Sequence, residues 1–277
     1  MKKMLSLALV LVLMMSLAAC GAKTETPAAT TAPAAAAETT AAAADTEAPA
    51  AEAKTIEAGK LIMSTNASFP PYEMIADDGS IEGIDVEVAD AIAKKLGLEL
   101  EVDDMDFDAA LLAVQQNKSD IVMAGVTVTD DRKLVMNFTD SYATGVQVVI
   151  VKEGSDVTLD NLGEKMIGTQ RGTTGYIYTS DDYGDDHVTA YDNGASAVQA
   201  LQNGQVDCVV IDAAPAEAYV EANPGLTILD TEYVTENYAI GVNKDNTALL
   251  DAVNGALAEL TADGTLDAII GKYITAE

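Results

Sequence analysis

Tryptophan is absent from the 277-residue chain, phenylalanine occurs three times, cysteine twice and histidine once. Two cysteines cannot build the disulfide framework of a small secreted domain, and Cys208 lies in an apolar run that predicts a buried, inert thiol. The single histidine, His187, follows an acidic stretch that is typical of a solvated loop. No metal cluster, phosphate loop or nucleophile elbow is apparent in the sequence. We therefore expect no metal, no cofactor and no enzymatic activity.

Positive charge is also scarce, because 15 lysines and arginines stand against 45 aspartates and glutamates, which leaves a formal net charge of -30. Such a chain repels the phosphates of nucleic acids and gains nothing from the attraction between basic segments and anionic lipids. Nucleic acid is therefore excluded as a partner. The acidic surface mainly favours solubility, with a mild attraction for cationic solutes as a second effect.

The amino terminus has the pattern of an export signal. Residues 1–19 begin with Lys2 and Lys3, continue through an apolar core too short to span a bilayer, and end on small residues before Cys20. This pattern resembles the lipobox of bacterial lipoproteins, which implies cleavage before Cys20, lipid on that cysteine and anchoring to the outer face of the bacterial cell membrane. Residues 20–57 are rich in alanine, threonine and proline and are predicted to form a disordered tether, with an alanine-rich helix as the alternative.

Strand and helix patterns alternate in the rest of the chain, which favours an α/β architecture with mainly parallel sheets. The predicted strands are 61–64, 98–102, 120–123, 145–151, 166–169, 190–191, 206–211, 227–229 and 238–242. The predicted helices are 86–96, 107–116, 196–202, 213–221, 248–262 and 265–273. This part is long enough for two modest lobes or one large domain, and composition does not choose between them.

The turn at residues 124–132 is the most informative motif. It joins an apolar strand to a predicted helix, for which Thr129 is a good N-cap and Asp130 and Asp131 suit the helix dipole. Arg132 then falls in the first helical turn, where the dipole disfavours a cation. A bidentate contact with a carboxylate explains that position, and a surface arginine paired with Asp130 or Asp131 is the alternative.

Several further segments share a specific order and spacing with a known family. They are Asn-Ala-Ser-Phe-Pro-Pro-Tyr-Glu at 66–73, Gly-Ile-Asp-Val at 83–86, Met-Asp-Phe-Asp at 105–108, Asn-Phe-Thr at 137–139, Ser-Tyr at 141–142, Arg-Gly-Thr-Thr-Gly at 171–175, the segment 201–207 and Val-Ile-Asp at 210–212. Together with the turn above, they make the chain similar to the polar amino-acid family of extracytoplasmic solute-binding proteins, the receptors of ABC importers. The similarity covers nearly everything from Leu61 onward.

The resemblance implies a two-lobed type II periplasmic-binding fold. Each lobe is expected to be a mainly parallel sheet flanked by helices, and two crossover strands, near 143–147 and 236–240, are expected to join the lobes. Residues 58–145 and 240–277 then form lobe 1, and residues 146–239 form lobe 2.

The resemblance also implies how a free amino acid is held between the lobes. Arg132 is expected to bind the α-carboxylate, helped by the backbone N–H groups of Thr127 and of Thr174, which opens a helix of lobe 2. Asp212, at the end of a strand in lobe 2, is expected to accept hydrogen bonds from the α-ammonium group. The Gly125 carbonyl and the Thr127 hydroxyl are expected to assist it. The alternatives are that Asp212 is only a helix N-cap and that Thr174 belongs to an ordinary turn.

Two aromatic and two amide side chains are assigned to the ligand side chain by the same resemblance. Phe69 and Phe107 are expected to sandwich it, with a role in the core as the alternative. Asn66 and Gln170 stand where other members carry an acid or a lysine, so the lining favours a polar, uncharged or moderately sized amino acid and weakens the case for glutamate or aspartate. Asp85 keeps a cationic ligand open, although its position equally suits a helix cap.

The expected partners are therefore an amino acid, the permease subunits of an ABC importer and the membrane through lipid on Cys20, and we expect the protein to be a monomer. Two other functions stay open. One is a cleft enzyme on the same fold, such as a lyase similar to cyclohexadienyl dehydratase, and the other is a ligand-binding partner of a membrane sensor.

Overall fold

The computed structural model of this protein describes residues 54–230 and 232–274. The predicted signal peptide at 1–19, the predicted lipidation site Cys20 and most of the predicted tether lie outside the described residues. Within the described part, no helix is both long enough and apolar enough to cross a membrane.

Helices and strands alternate along most of the described chain, as the sequence pattern predicts. The strands, numbered β1 to β12 in chain order, are Lys60–Thr65, Ser68–Phe69, Glu73–Ile75, Ile81–Glu82, Glu99–Asp104, Ile121–Val122, Met136–Lys152, Ile167–Gln170, Val188–Tyr191, Cys208–Asp212, Leu226–Ile228 and Val234–Asn243. The α-helices, numbered α1 to α8, are Ile84–Lys95, Phe107–Gln115, Asp130–Val135, Thr174–Tyr183, Gly194–Gln202, Ala213–Ala222, Thr247–Ala262 and Thr265–Tyr273. Leu159–Glu164 and Asp185–His187 form 3-10 helices.

A nine-stranded sheet forms the frame, in the order β5-β1-β6-β12-β7-β10-β8-β9 with β11 paired to β7. β1 is parallel to β5 and β6, whereas β8 is parallel to β9 and β10. These two parallel sets are the sheets of the two lobes. Parallel neighbours require crossover connections, which explains why helices separate most of the strands along the chain.

Strands β7 and β12 connect the lobes. They pair antiparallel to each other along most of their length, with Glu236 opposite Gly145. β12 also pairs with β6 of the first lobe, and β7 pairs with β10 of the second. Register shifts on both sides of Ala239 interrupt the ladder between them. The two lobes are therefore joined by a pair of continuous strands with a local irregularity.

Two features of the sheet differ from the sequence prediction. β7 is 17 residues long, whereas only its apolar part at 145–151 is predicted as a strand. Its first half carries Asn137, Thr139 and Asp140, whose polar side chains obscure a strand signal that rests on apolar runs. The small sheet β2-β3-β4 is also missed, because strands of two or three residues are too short to show a period.

Cys208 is the cysteine that lies in the described part of the chain, and it belongs to the core. Cys208 lies at the start of β10, is fully buried and forms no disulfide. Burial raises the pKa of its thiol to about 12. The predicted burial of this thiol is therefore confirmed, and a buried, protonated thiol is expected to react slowly.

Candidate ligand-binding site

A cavity lies where the carboxyl ends of strands from both lobes face each other. All nine residues that the sequence analysis assigns to ligand binding line it: Asn66, Phe69, Phe107, Gly125, Thr127, Arg132, Gln170, Thr174 and Asp212. Glu73, Ala124 and Thr173 also line it and were not predicted. Ligands of open α/β sheets bind outside the carboxyl ends of the strands, so the cavity has the expected place in the fold.

Arg132 is positioned by the short helix α3. The hydroxyl of the N-cap Thr129 accepts a hydrogen bond from the Arg132 backbone N–H at 3.2 Å, which confirms the predicted cap. The guanidinium donates to the Thr127 carbonyl at 2.8 Å and to the Gly172 carbonyl at 3.1 Å, so it contacts both lobes. Its carbon lies 5.4 Å from the centre of the Phe107 ring, a cation–π distance.

The guanidinium faces the cavity and not its acidic neighbours in sequence. Asp130 contacts Lys133 at 3.3 Å, and Arg132 forms no salt bridge within the part of the chain that the structure describes. Burial lowers the pKa of Arg132, an effect that Glu236 opposes, but a guanidinium stays charged in a protein. The interpretation as a surface arginine is therefore wrong. Of its five N–H donors, two have carbonyl partners, which leaves donors for an anion.

Asp212 ends β10 at the opposite wall of the cavity. It stands at the N-cap position of α6, yet its side chain caps nothing. One carboxylate oxygen accepts from the Tyr238 hydroxyl, and the other accepts from Gln147 Nε2 at 2.8 Å. Burial raises the pKa of Asp212 to about 7, Glu236 adds to that rise, and the bonds from Tyr238 and Gln147 oppose it. The alternative role as a capping side chain is therefore wrong.

The hydroxyl groups of Thr127 and Thr174 meet across the cavity. Thr127 Oγ1 lies 3.4 Å from Thr174 Oγ1. Thr174 is the first residue of α4, as predicted, and the N-cap Thr173 accepts from the Tyr176 N–H at 3.3 Å. First-turn N–H groups of a helix have no partner within the helix, so the Thr174 amide is a donor for an anion in the cavity.

The far end of the cavity is lined by amides. Gln170 Nε2 donates to Asn66 Oδ1 at 2.9 Å, and Asn66 Nδ2 donates to the Met105 carbonyl at 2.8 Å. Both amides are buried, as are Phe69 and Phe107, which line the same cavity. Asn66 Oδ1 also accepts from the Ser68 hydroxyl at 2.8 Å, so the Gln170 side-chain oxygen is the amide acceptor left among the described residues for a ligand side chain that donates hydrogen bonds.

Asp85 lies behind the cavity wall next to Glu73, which corrects the expectation for Asp85. Asp85 is fully buried but is not part of the lining, and α1 begins at Ile84 with Gly83 as its N-cap, so Asp85 neither faces the ligand nor caps the helix. It accepts from the Gly125 N–H at 3.0 Å. Burial raises the pKa of Asp85 to about 6. Burial and the charge of the neighbouring Asp85 raise the pKa of Glu73 well above its usual range.

Gly125 is the position where a methyl group should harm the site most directly. Its φ is +53°, and a Cβ there would lie 2.6 Å from Cε1 of Phe69. Gly97 has a φ of +71° and open space where a Cβ would lie, so Gly97→Ala matches the backbone strain without the clash. We expect Gly125→Ala to lose more stability than Gly97→Ala because the clash adds to the strain, and we expect only Gly125→Ala to lose affinity, by about tenfold or more. Calorimetric titration checks this, and equal affinities of the two variants would contradict it.

Comparison with known proteins identifies the family. Residues 61–276 match the bacterial extracellular solute-binding proteins, family 3. The chain belongs to this family. The chain is similar to a probable histidine-binding protein of Neisseria gonorrhoeae, 35% identical over 78% of this chain and 83% of that protein. Another similar protein is the ABC transporter arginine-binding protein 1 of Escherichia coli K12, 32% identical over 78% of this chain and 91% of that protein.

Solved structures of family 3 members agree with the fold. One of them is an ancestral arginine-binding protein bound to glutamine, which is 40% identical and has a TM-score of 0.75. The match covers 79% of this chain and 99% of that chain. The predicted type II periplasmic-binding fold is thereby confirmed, as is the resemblance on which it was based. The matched family consists of extracellular solute-binding proteins, so the chain is an extracytoplasmic binding protein and not an enzyme.

Proposed function

We propose that this protein is the receptor of an ABC importer and that it holds a free L-amino acid between its lobes. The observation that carries the proposal is that Arg132 and Asp212 line one cavity from opposite lobes. A buried zwitterion requires a partner for each of its charges, because an unpaired buried charge costs several kcal/mol. A guanidinium on one wall and a carboxylate on the other match the two charged groups of an amino acid.

The assignment of the ligand's groups follows from the contacts above. The α-carboxylate lies on the free donors of Arg132, together with the N–H groups of Thr127 and Thr174. The α-ammonium group lies against Asp212, the Gly125 carbonyl and the Thr127 hydroxyl. Closure of the lobes is needed to complete this set, so ligand binding stabilises the closed form that a permease recognises.

The lining also restricts the ligand's side chain. The side chain lies between Phe69 and Phe107 and ends at the amides of Asn66 and Gln170. Arg132, already engaged with the α-carboxylate, is the one lysine or arginine among the lining residues, and Glu73 adds a carboxyl group. A polar neutral or cationic side chain fits these groups, whereas an anionic one lacks a partner. Relatives named for histidine and arginine, and one bound to glutamine, support that range.

A panel of ligands tests the proposed function. We expect calorimetric titration of the purified protein, freed of ligand by unfolding and refolding, to show binding of L-glutamine, L-histidine or L-arginine. L-Glutamate should bind about a hundred times more weakly than L-glutamine, because its side-chain carboxylate has no cation to pair with. Agmatine, which is arginine without the α-carboxylate, is the matched control and should show no binding. Absence of binding by every L-amino acid would contradict the proposal.

The attachment to the cell is part of the same proposal. Lipid on Cys20 would hold the receptor at the outer face of the membrane, and residues 20–57 would let a monomeric binding domain reach a permease nearby. As a coil this segment spans a few tens of Å, on the order of 5 Å times the square root of its length. That reach allows the tethered receptor to bind an amino acid while it is separated from the permease.

A further inference from the structure

Glu236 is a buried carboxylate that none of the assignments above uses. It lies in the crossover strand β12, is 4% exposed and does not line the cavity. Its Oε2 accepts from Gln147 Nε2 at 2.8 Å and from the Thr174 hydroxyl at 3.0 Å. Its Oε1 has no partner among the described residues. Burying a carboxylate is costly, so its place beside the cavity calls for a function.

The bond between Glu236 and Thr174 fixes the direction of another hydrogen bond. A carboxylate oxygen only accepts, so the single hydroxyl proton of Thr174 is directed to Glu236. Thr174 Oγ1 also lies 3.4 Å from Thr127 Oγ1, on the other wall. Because the Thr174 proton is engaged, Thr127 has to be the donor in this pair. The lone pairs of the Thr127 oxygen are then available to the cavity.

We propose that Glu236 is a positioning residue that orients the hydroxyls of Thr174 and Thr127 so that the closed cleft offers only acceptors to the ligand's α-ammonium group. The inference rests on the proposed function, because it needs an ammonium group at Asp212. Asp212, the Gly125 carbonyl and the Thr127 hydroxyl then form a wall of acceptors. Without Glu236, the Thr174 proton turns towards Thr127, and the Thr127 proton points at the ammonium group.

The position of Glu236 in the fold supports this role. Gln147 Nε2 donates to both Glu236 and Asp212, each at 2.8 Å, so one amide spaces the two carboxylates. Gln147 and Glu236 lie on the two crossover strands, which connect the lobes. The bond between Thr127 and Thr174 joins residues of opposite lobes. The hydrogen-bond direction that Glu236 sets thus applies to a contact made when the cleft closes.

A double-mutant cycle between Glu236 and Thr174 tests the inference. Glu236→Met removes the acceptor and keeps the volume, and Thr174→Val removes the hydroxyl that Glu236 orients. The dissociation constant is measured by calorimetry at pH 8.5 for L-glutamine, L-histidine and L-arginine, and the ligand bound most tightly by the parent is used. We expect Glu236→Met to weaken binding about ten- to a hundredfold in the parent, and less than about threefold in the Thr174→Val background.

Two further variants separate the acceptor from other effects. Glu236→Gln keeps a carbonyl oxygen with two lone pairs for Gln147 and Thr174, so we expect it to stay within about fivefold of the parent. Glu221→Met, at an exposed glutamate of α6, is the control and should bind as the parent does. Melting temperatures of the ligand-free proteins report whether each variant folds. If Glu236→Met does not fold, the cycle is repeated with Glu236→Ala, which has a smaller side chain.

Two results would overturn the inference. One is a Glu236→Met protein that binds as tightly as the parent. The other is a cycle in which the losses from Glu236→Met and Thr174→Val multiply, since Glu236 would then act independently of the Thr174 hydroxyl. A parent protein that binds no amino acid contradicts the proposed function instead, so the two failures are distinguishable.

Discussion

The Asp212→Ala protein is expected to bind every L-amino acid about a hundred to several thousand times more weakly than the parent at pH 8.5. Removing one partner of a buried charge pair costs about 3–5 kcal/mol, and each 1.4 kcal/mol is about a factor of ten in affinity. The loss should be common to all ligands, because Asp212 faces the α-ammonium group that they share. Calorimetric titration with L-glutamine, L-histidine and L-arginine measures it.

Asp212→Asn is the matched variant, because it keeps the shape and one acceptor, removes the charge and replaces the second acceptor with an N–H donor. The pKa of Asp212 is raised from its ordinary 3.8 to about 7 in the folded protein, so ionising this carboxyl opposes folding. Ionisation of Asp212 therefore lowers the free energy of unfolding of the ligand-free parent as pH rises from about 4 to about 7, and this cost persists at higher pH. We therefore expect ligand-free Asp212→Asn to melt at a higher temperature than the parent at pH 8.5 while binding weakly. Tight binding by both variants would contradict the assigned role.

Arg132→Lys is expected to weaken amino-acid binding about a hundredfold although the positive charge is kept. A lysine presents a point charge and cannot reproduce the two parallel hydrogen bonds of a guanidinium to a carboxylate. It also cannot reach the Thr127 and Gly172 carbonyls at the same time as the ligand, so the bridge between the lobes is weakened. Losing one or more bonds to a charged group, at about 1.5–3 kcal/mol each, gives this magnitude.

Arg171→Lys is the control for Arg132→Lys. The Arg171 side chain is 57% exposed and lies 3.7 Å from Asp192, a surface contact of the kind that contributes about 0–1 kcal/mol. We expect its affinity to stay within about twofold of the parent. If Arg132→Lys also stays within that range, the carboxylate is not bound by Arg132.

The sequence was informative where the chemistry is local. Thr129, three residues before Arg132, is a capping side chain by type and spacing, and a cation in a first helical turn is unusual enough to indicate an anion. Asp212 follows an apolar run, which places it at the end of a buried strand. Each of these predictions depends on a few neighbouring residues, and the structure contains the predicted local arrangement.

Long-range pairing explains most of what the sequence could not show. Gln147 and Glu236 meet because β7 and β12 pair, and no local pattern aligns two strands so far apart in the chain. Asp85 was uncertain because a two-residue difference in the start of α1 decides whether its side chain caps the helix or enters the core. Glu73 lies in the segment 66–73 that carries the family resemblance, but only the fold shows that it lines the cavity.

Because Cys208 is buried, opening of the cleft can be followed by single-molecule fluorescence. A protonated, buried thiol reacts poorly with maleimide dyes, and Cys20 is the only other cysteine in the sequence. A chain produced without residues 1–20 can therefore carry dyes at chosen surface positions with no prior removal of thiols. Dyes at Asp108 and Asp192, exposed residues that line one surface groove from opposite lobes, would move apart when the cleft opens and would report domain motion as a change in contact quenching.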